Sequence, residues 1–200
     1  MLILCFVLVT PNVLAGLFGY KESVRANLDM FPQWLSVLER HIKQDVPEGN
    51  CNSQRINKCR VRQWYAFLRS IRKLPKLEQI RRVNTYANQK EYVLDIENYG
   101  VEDYWAIPKE FLYNAGDCED YAITKMLSLK FLGFDPAKMR IVVLQDTNLR
   151  MPHAVLAVDY KRDTLILDNQ IEEVVPDKYI VHYVPIYSVT EKSWRMYLPN

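Results

Sequence analysis

The pattern of apolar positions changes period along the chain. Residues 31–44 place Trp34, Leu35, Leu38 and Ile42 at helical spacing. Residues 61–74 repeat the pattern through Val61, Trp64, Phe67 or Leu68, and Ile71, and Pro75 stops it. Ile80, Val83, Asn84 and Ala87 predict a third helix over 77–92, followed by a looser aromatic stretch over 99–111 that contains Trp105 and Pro108. A fourth helix opens at Cys118, with Ala122, Met126 and Leu129 on one stripe and Gly133 as its C-terminal cap. From there strand-like runs take over, at 140–145, 153–159, 164–168 and 180–188. Helices first and an antiparallel sheet afterwards predict an α+β fold, with the Cys118 helix packed on the sheet. Without an internal repeat, low-complexity tract or linker, residues 16–200 read as one domain.

Residues 1–15 stand apart. They are apolar and uncharged, and Val13-Leu14-Ala15 before Gly16 matches a signal-peptidase site, although no Lys or Arg lies near Met1. The run is too short to span a bilayer comfortably, so a cleaved signal peptide and export are expected. Cys5 would leave with that signal, and Cys51, Cys59 and Cys118 would remain. Cys51 and Cys59 flank a short polar loop and could either pair in an oxidising compartment or stay as surface thiols. No C-x-x-C pair exists, which argues against a cysteine metal site.

Composition adds little beyond a real core: 200 residues at 49% hydrophobic, rich in Tyr and poor in Gly. The formal net charge of +2 gives no steer toward nucleic acid. Locally, residues 55–82 carry ten basic residues against one acid, Glu78. That stretch is either a solvated helix face or a docking surface for an acidic partner.

The chemistry concentrates in Gly116-Asp117-Cys118-Glu119-Asp120-Tyr121. A cysteine nucleophile acts as the thiolate, and nearby negative charge suppresses the thiolate. One reading is an acidic helix start, with Asp117 as N-cap, Glu119 and Asp120 suiting the helix dipole, and a buried structural cysteine. The other is a nucleophile at a helix N-terminus with something positive offsetting the acids.

A nucleophile needs a base, and three histidines are available. His41 falls in an amphipathic helix as a surface or capping residue, and His182 in a strand-like run as a sheet residue. His153 begins the run His153–Val158 after Pro152. If 153–159 and 162–168 form a hairpin centred between Tyr160 and Lys161, His153 lies directly opposite Asp168, Val155 faces Ile166 and Leu156 faces Leu165. A carboxylate there would orient the imidazole, the third role in a catalytic triad.

Taken together, Trp105–Phe111, the Gly116–Ile123 string with Lys125, His153–Leu156 and Leu167-Asp168-Asn169 resemble the bacterial transglutaminase-like cysteine proteinases, over about Val83 to Ser188. Ala154 departs from the Met usual after the histidine, and Pro185–Thr190 departs from the family's ending. The resemblance implies a papain-like core with a Cys118-His153-Asp168 triad. It also implies Ca²⁺ dependence, with Asp117, Glu119 and Asp120 as the matching ligands. Bound Ca²⁺ would suit these oxygen donors and cancel the charge that suppresses the thiolate. It further implies a periplasmic enzyme that cuts a large surface adhesin near its N-terminus, restrained by an inner-membrane cyclic-di-GMP receptor. Two other readings stay open: a transglutaminase or amidase using the same thioester, and a non-catalytic module that docks a receptor.

Overall fold

The run Met151–Tyr160 contains seven apolar residues in ten, too continuous for a strand with one wet face, and it forms the buried strand β3. The computed structural model describes residues 16–53 and 55–200, so the signal peptide expected at 1–15 lies outside the described residues. Around β3 the chain runs β1 (Lys21–Arg25), α1 (Pro32–Lys43), α2 (Lys58–Ile71), α3 (Lys76–Asn88), α4 (Asp95–Asn98), α5 (Pro108–Asn114) and α6 (Cys118–Phe131). The remaining strands are β2 (Met139–Asp146), β4 (Asp163–Leu167), β5 (Val175–Pro176), β6 (Tyr183–Val189) and β7 (Trp194–Leu198). Among the described residues they form one sheet in the order β1-β7-β6-β2-β3-β4-β5, with every neighbouring pair antiparallel. The α+β reading holds.

Helix α6 sits in the middle of this architecture. Every residue from Asp120 to Leu129 is buried, because β2 and β3 cover one side and α3 and α5 the other. Ala122, Met126 and Leu129 join Ile141, Leu156 and Val158 of the sheet in the main core. Trp64 of α2 closes over the same helix and donates its indole N–H to Ser128 Oγ at 2.9 Å. A helix anchored this way holds its first residue, Cys118, at a fixed place relative to β3.

Several boundaries differ from the sequence expectations. The third helix stops at Asn88 rather than reaching Tyr92, which instead forms a parallel bridge with Gly116. The last run begins pairing at Tyr183, not at Ile180. The edge strand β1, its neighbour β7 and the short helix α5 carry too little periodicity to be read from sequence, and they form because tertiary partners await them.

The hairpin register is corrected. Tyr160 pairs with Asp163, Ala157 with Ile166 and Leu156 with Leu167, so the two-residue turn is Lys161-Arg162 rather than one centred between Tyr160 and Lys161. Lys161 takes a left-handed φ of 58°, as tight hairpin turns demand. Continuing that register would set Asp168 against Val155, diagonal to His153 rather than directly opposite it. A diagonal neighbour is still within reach of long side chains.

Much of the basic stretch over 55–82 serves the fold. Arg60 donates to the Leu112 and Tyr113 carbonyls and lies over the Tyr113 ring, and Lys76 donates to the Leu132 carbonyl. Arg62 pairs with Glu48 and Arg82 with Glu78. Cys51 and Cys59 are joined by a disulfide with Cα atoms 5.2 Å apart, tying the α1–α2 loop to the start of α2.

Candidate active site

Cys118, at the start of α6, and His153, near the start of β3, line one cleft of about 480 Å³. Its walls also carry Tyr92, Trp105, Asp117, Glu119, Ala154 and Tyr187. Trp105 is both buried in the core, at 6% exposed, and a wall of the cleft.

The imidazole is held from one side. His153 Nε2 lies 2.9 Å from Asp168 Oδ1, and both side chains are buried. An ionised carboxylate only accepts hydrogen bonds, so Nε2 carries the proton and Nδ1 keeps the lone pair. Gln170 Nε2 lies 3.4 Å from Nδ1. Asp168 is itself fixed: Tyr183 donates its hydroxyl to Oδ2 at 2.5 Å, and the Gln170 N–H donates to Oδ1 at 2.9 Å. Burial alone would raise the Asp168 carboxyl, but bonds from His153, Tyr183 and Gln170 hold it below its ordinary value. Tyr183 and Gln170 were not foreseen from sequence. Neither has a motif, and only folding brings β6 under Asp168.

The thiol is in the opposite condition. Cys118 Sγ donates to Glu119 Oε2 at 3.2 Å, not to the imidazole. Burial, then the charges of Glu119 and Asp117, push the thiol well above its ordinary pKa, while the Ala154 N–H works the other way. This is the conflict visible in the sequence.

The acids divide into two groups. Asp95, Asp117 and Glu119 place one carboxylate oxygen each within 4.8 Å of one another. Asp95 Oδ1 and Asp117 Oδ1 are buried without a hydrogen-bond partner. Burial, followed by the neighbouring Asp117, raises Glu119 to about 9, and burial raises Asp95 to about 6. Three crowded, hard oxygen donors with orphaned lone pairs fit a Ca²⁺-sized cation. Asp117 stands at the N-cap of α6, as read from sequence, but its side chain makes no cap bond and its carboxylate faces the other acids instead.

Asp120 belongs elsewhere. Its Oδ1 accepts the buried Ala106 N–H at 2.6 Å, and it stands outside the three-carboxylate cluster. Its Oδ2 is buried without a partner. Asp95 rather than Asp120 completes the three-carboxylate cluster. Its 22-residue separation from Asp117 hides it. The Tyr92–Gly116 bridge and the Val93 N–H bond to the Gly116 carbonyl, at 3.0 Å, bring it in.

Gly116 is required by the same packing. A Cβ there would lie 2.0 Å from Asp120 Oδ2 and 2.9 Å from Asp120 Cβ. Gly116→Ala should therefore displace Asp120 and cost about 1–3 kcal/mol of stability, read as a lowered denaturant midpoint. An unchanged midpoint would show that the loop relaxes freely.

The other two histidines lie away from the cleft. His41 is in the last turn of α1, where burial and then Lys109 lower it to about 4. His182 precedes β6 and packs edge-on against Tyr183.

Comparison with known proteins gives the family. Residues 49–195 match the family model described as bacterial transglutaminase-like cysteine proteinase BTLCP. Legionella pneumophila LapG is similar at 30% identity with a TM-score of 0.62, over 68% of this chain and 77% of that one. Its calcium-bound form is 27% identical with a TM-score of 0.62, over 78% and 83% of the two chains. Its EGTA-treated form is 31% identical with a TM-score of 0.59, over 65% and 72%. No curated protein matches. The chain belongs to the bacterial transglutaminase-like cysteine proteinases.

Proposed function

We propose that the protein is a calcium-dependent periplasmic cysteine endopeptidase with a Cys118-His153-Asp168 triad. Its substrate on this reading is the N-terminal region of a large surface adhesin, which is released when cut. An inner-membrane cyclic-di-GMP receptor restrains it. The observation that carries the reading is the shared cleft, in which Cys118 opens the anchored helix and His153 is locked to Asp168. The disulfide between Cys51 and Cys59 favours an oxidising compartment.

The mechanism follows from the proton inventory. His153 Nδ1, the unprotonated ring nitrogen, exchanges its long Gln170 contact for the Cys118 proton as the thiolate attacks the peptide carbonyl carbon. Asp168 holds the resulting imidazolium. The carbonyl oxygen gains negative charge beside the Cys118 N–H at the helix start. The C–N bond then breaks, the imidazolium protonates the leaving amine, and water hydrolyses the thioester.

Asp95, Asp117 and Glu119 would hold calcium. Its positive charge offsets the carboxylates that otherwise keep the thiol protonated. That the Legionella relative exists in a calcium-bound form supports the assignment.

Calcium and protons compete for these carboxylates, which gives a signed pH dependence. Glu119 is raised from 4.5 to about 9, so without calcium the folded state holds more protons than the unfolded one across that window. Its contribution to stability is present below the unfolded value and is lost as pH rises through the folded one. Calcium binds the deprotonated form, so the rise in Tm on adding calcium should grow from about pH 5 to about pH 9. Thermal melts in calcium and in chelator across that range check it. A constant increment would remove these carboxylates from the site.

The function itself is tested by mixing the mature protein with N-terminal fragments of large surface adhesins, in calcium or chelator. The expected result is one discrete cut, absent in chelator and with Cys118→Ala. Amine incorporation at glutamine without chain cleavage would point to a transglutaminase instead.

A further inference from the structure

Strand β6 is irregular where it passes the cleft. Tyr187 pairs with Val143 of β2 and Pro185 pairs with Leu144, so Ile186 between them has no partner and forms a β-bulge. Side chains of a regular strand alternate between the two faces of a sheet. The bulge breaks that alternation, and the consecutive residues Ile186 and Tyr187 line one groove. Bulges beside active sites re-aim side chains in this way.

The groove holds about 590 Å³ and is built from uncharged residues. Phe31 backs it, with its ring 5.0 Å from that of Tyr187 and 5.4 Å from that of Trp194. Met30, Ile186 and Met196 stand around it at 71%, 49% and 44% exposed. Exposed apolar side chains scattered singly are ordinary, but three around one groove mark a binding surface.

Its position identifies the occupant. Tyr187 is a wall of this groove and also of the cleft that holds Cys118 and His153, so the two are continuous across one tyrosine. Val143, paired with Tyr187, lines the cleft as well. The cleft carries Glu102, Asp103, Asp117 and Glu119, whereas the groove carries no charge. A polypeptide lying in the cleft at Cys118 extends about 3.3 Å per residue, so a few residues carry it past Tyr187. Peptide-bond chemistry draws on binding energy from parts of the substrate remote from the reacting bond, and a buried apolar side chain supplies such energy.

We propose that this groove is a substrate subsite: it takes an apolar side chain of the polypeptide being cut, at one fixed position away from the scissile bond, with Ile186 and Met196 as specificity-determining residues. The inference rests on the peptidase reading and deepens it by naming the kind of sequence that is cut.

The test is digestion of a mixed peptide library in calcium, with cut sites and rates read by mass spectrometry, for the unsubstituted protein, Ile186→Ser and Met196→Ser. The expected result is a preference for Leu, Ile, Met or Phe at one position outside the two residues that flank the cut. In both variants kcat/KM for peptides carrying that residue should fall about tenfold, through KM, and much less for peptides lacking it. A merely structural change would slow all peptides alike. Both side chains are about half exposed, and if Ile186→Ser disturbs the bulge, Met196→Ser on β7 carries the test. Absence of the preference, or its survival in both variants, would overturn the proposal. So would a dimer in sedimentation that the variants dissociate while the preference stays, which would give the groove to a second copy of the chain. Cutting without the preference sinks this inference alone, whereas failure to cut any peptide sinks the peptidase reading with it. The inference can hold where no adhesin is cut.

Discussion

His153→Gln lowers peptide hydrolysis by about a thousandfold or more at saturating calcium. The loss corresponds to about 4 kcal/mol of transition-state stabilisation. The size follows from the thiol's starting point. Burial and the Glu119 and Asp117 charges hold Cys118 well above its ordinary pKa, so little thiolate exists unless a base takes the proton as attack occurs. Glutamine keeps most of the side-chain volume in this buried place while removing the titratable nitrogen. The readout is the cleavage rate of an adhesin fragment, with the melting curve as control for folding. A variant that keeps more than about a tenth of the rate would show that another group deprotonates Cys118. Asp168→Asn should fall in the same direction. An amide in place of the carboxylate can present its NH₂ to Nε2, and the proton then moves to the nitrogen that must accept.

Asp95→Asn raises the calcium concentration needed for half-maximal activity about ten- to hundredfold, with the rate at saturating calcium largely preserved. One of three carboxylates then loses its charge, while the Tyr104 N–H bond to Asp95 Oδ2 can be retained by the amide oxygen. Asp120→Asn is the contrasting variant. Its Oδ1 keeps the Ala106 N–H, and it stands outside the cluster, so calcium dependence should move much less. Activity against buffered free calcium, with calorimetric titration on the same samples, separates the two. If Asp120→Asn shifts the curve and Asp95→Asn does not, the ligand set read from the sequence is right and the one read from the geometry is wrong.

The parts of the site that follow one another along the chain were legible in the sequence. Asp117, Cys118 and Glu119 share one helix turn, where spacing alone sets the geometry. The link between His153 and Asp168 was legible in kind but not in register. An interior of Val, Leu, Ala and Ile packs about equally well when the hairpin slips, so periodicity does not choose the turn. The left-handed Lys161 chooses it, and nothing in that residue's type announces a positive φ. Asp95, Tyr183 and Gln170 were hidden for a different reason. Asp95 and Tyr183 arrive through contacts between separate elements, such as the Tyr92–Gly116 bridge, that have no local signature, whereas Gln170 makes a local turn bond to Asp168 that no motif marks. The same holds for β1 and β7, whose short pairing extends a sheet already present.

On the proposed mechanism, Cys118 is a nucleophile made competent by His153 and by a cation at the neighbouring acids. Cys118 is the free thiol among the described residues, so an adduct there is easily located. The most direct measurement is intact-mass analysis after exposure to a peptide electrophile, in calcium and in chelator. One adduct at Cys118 is expected in calcium, formed far more slowly in chelator and in His153→Gln. Equal labelling rates in all three would contradict it.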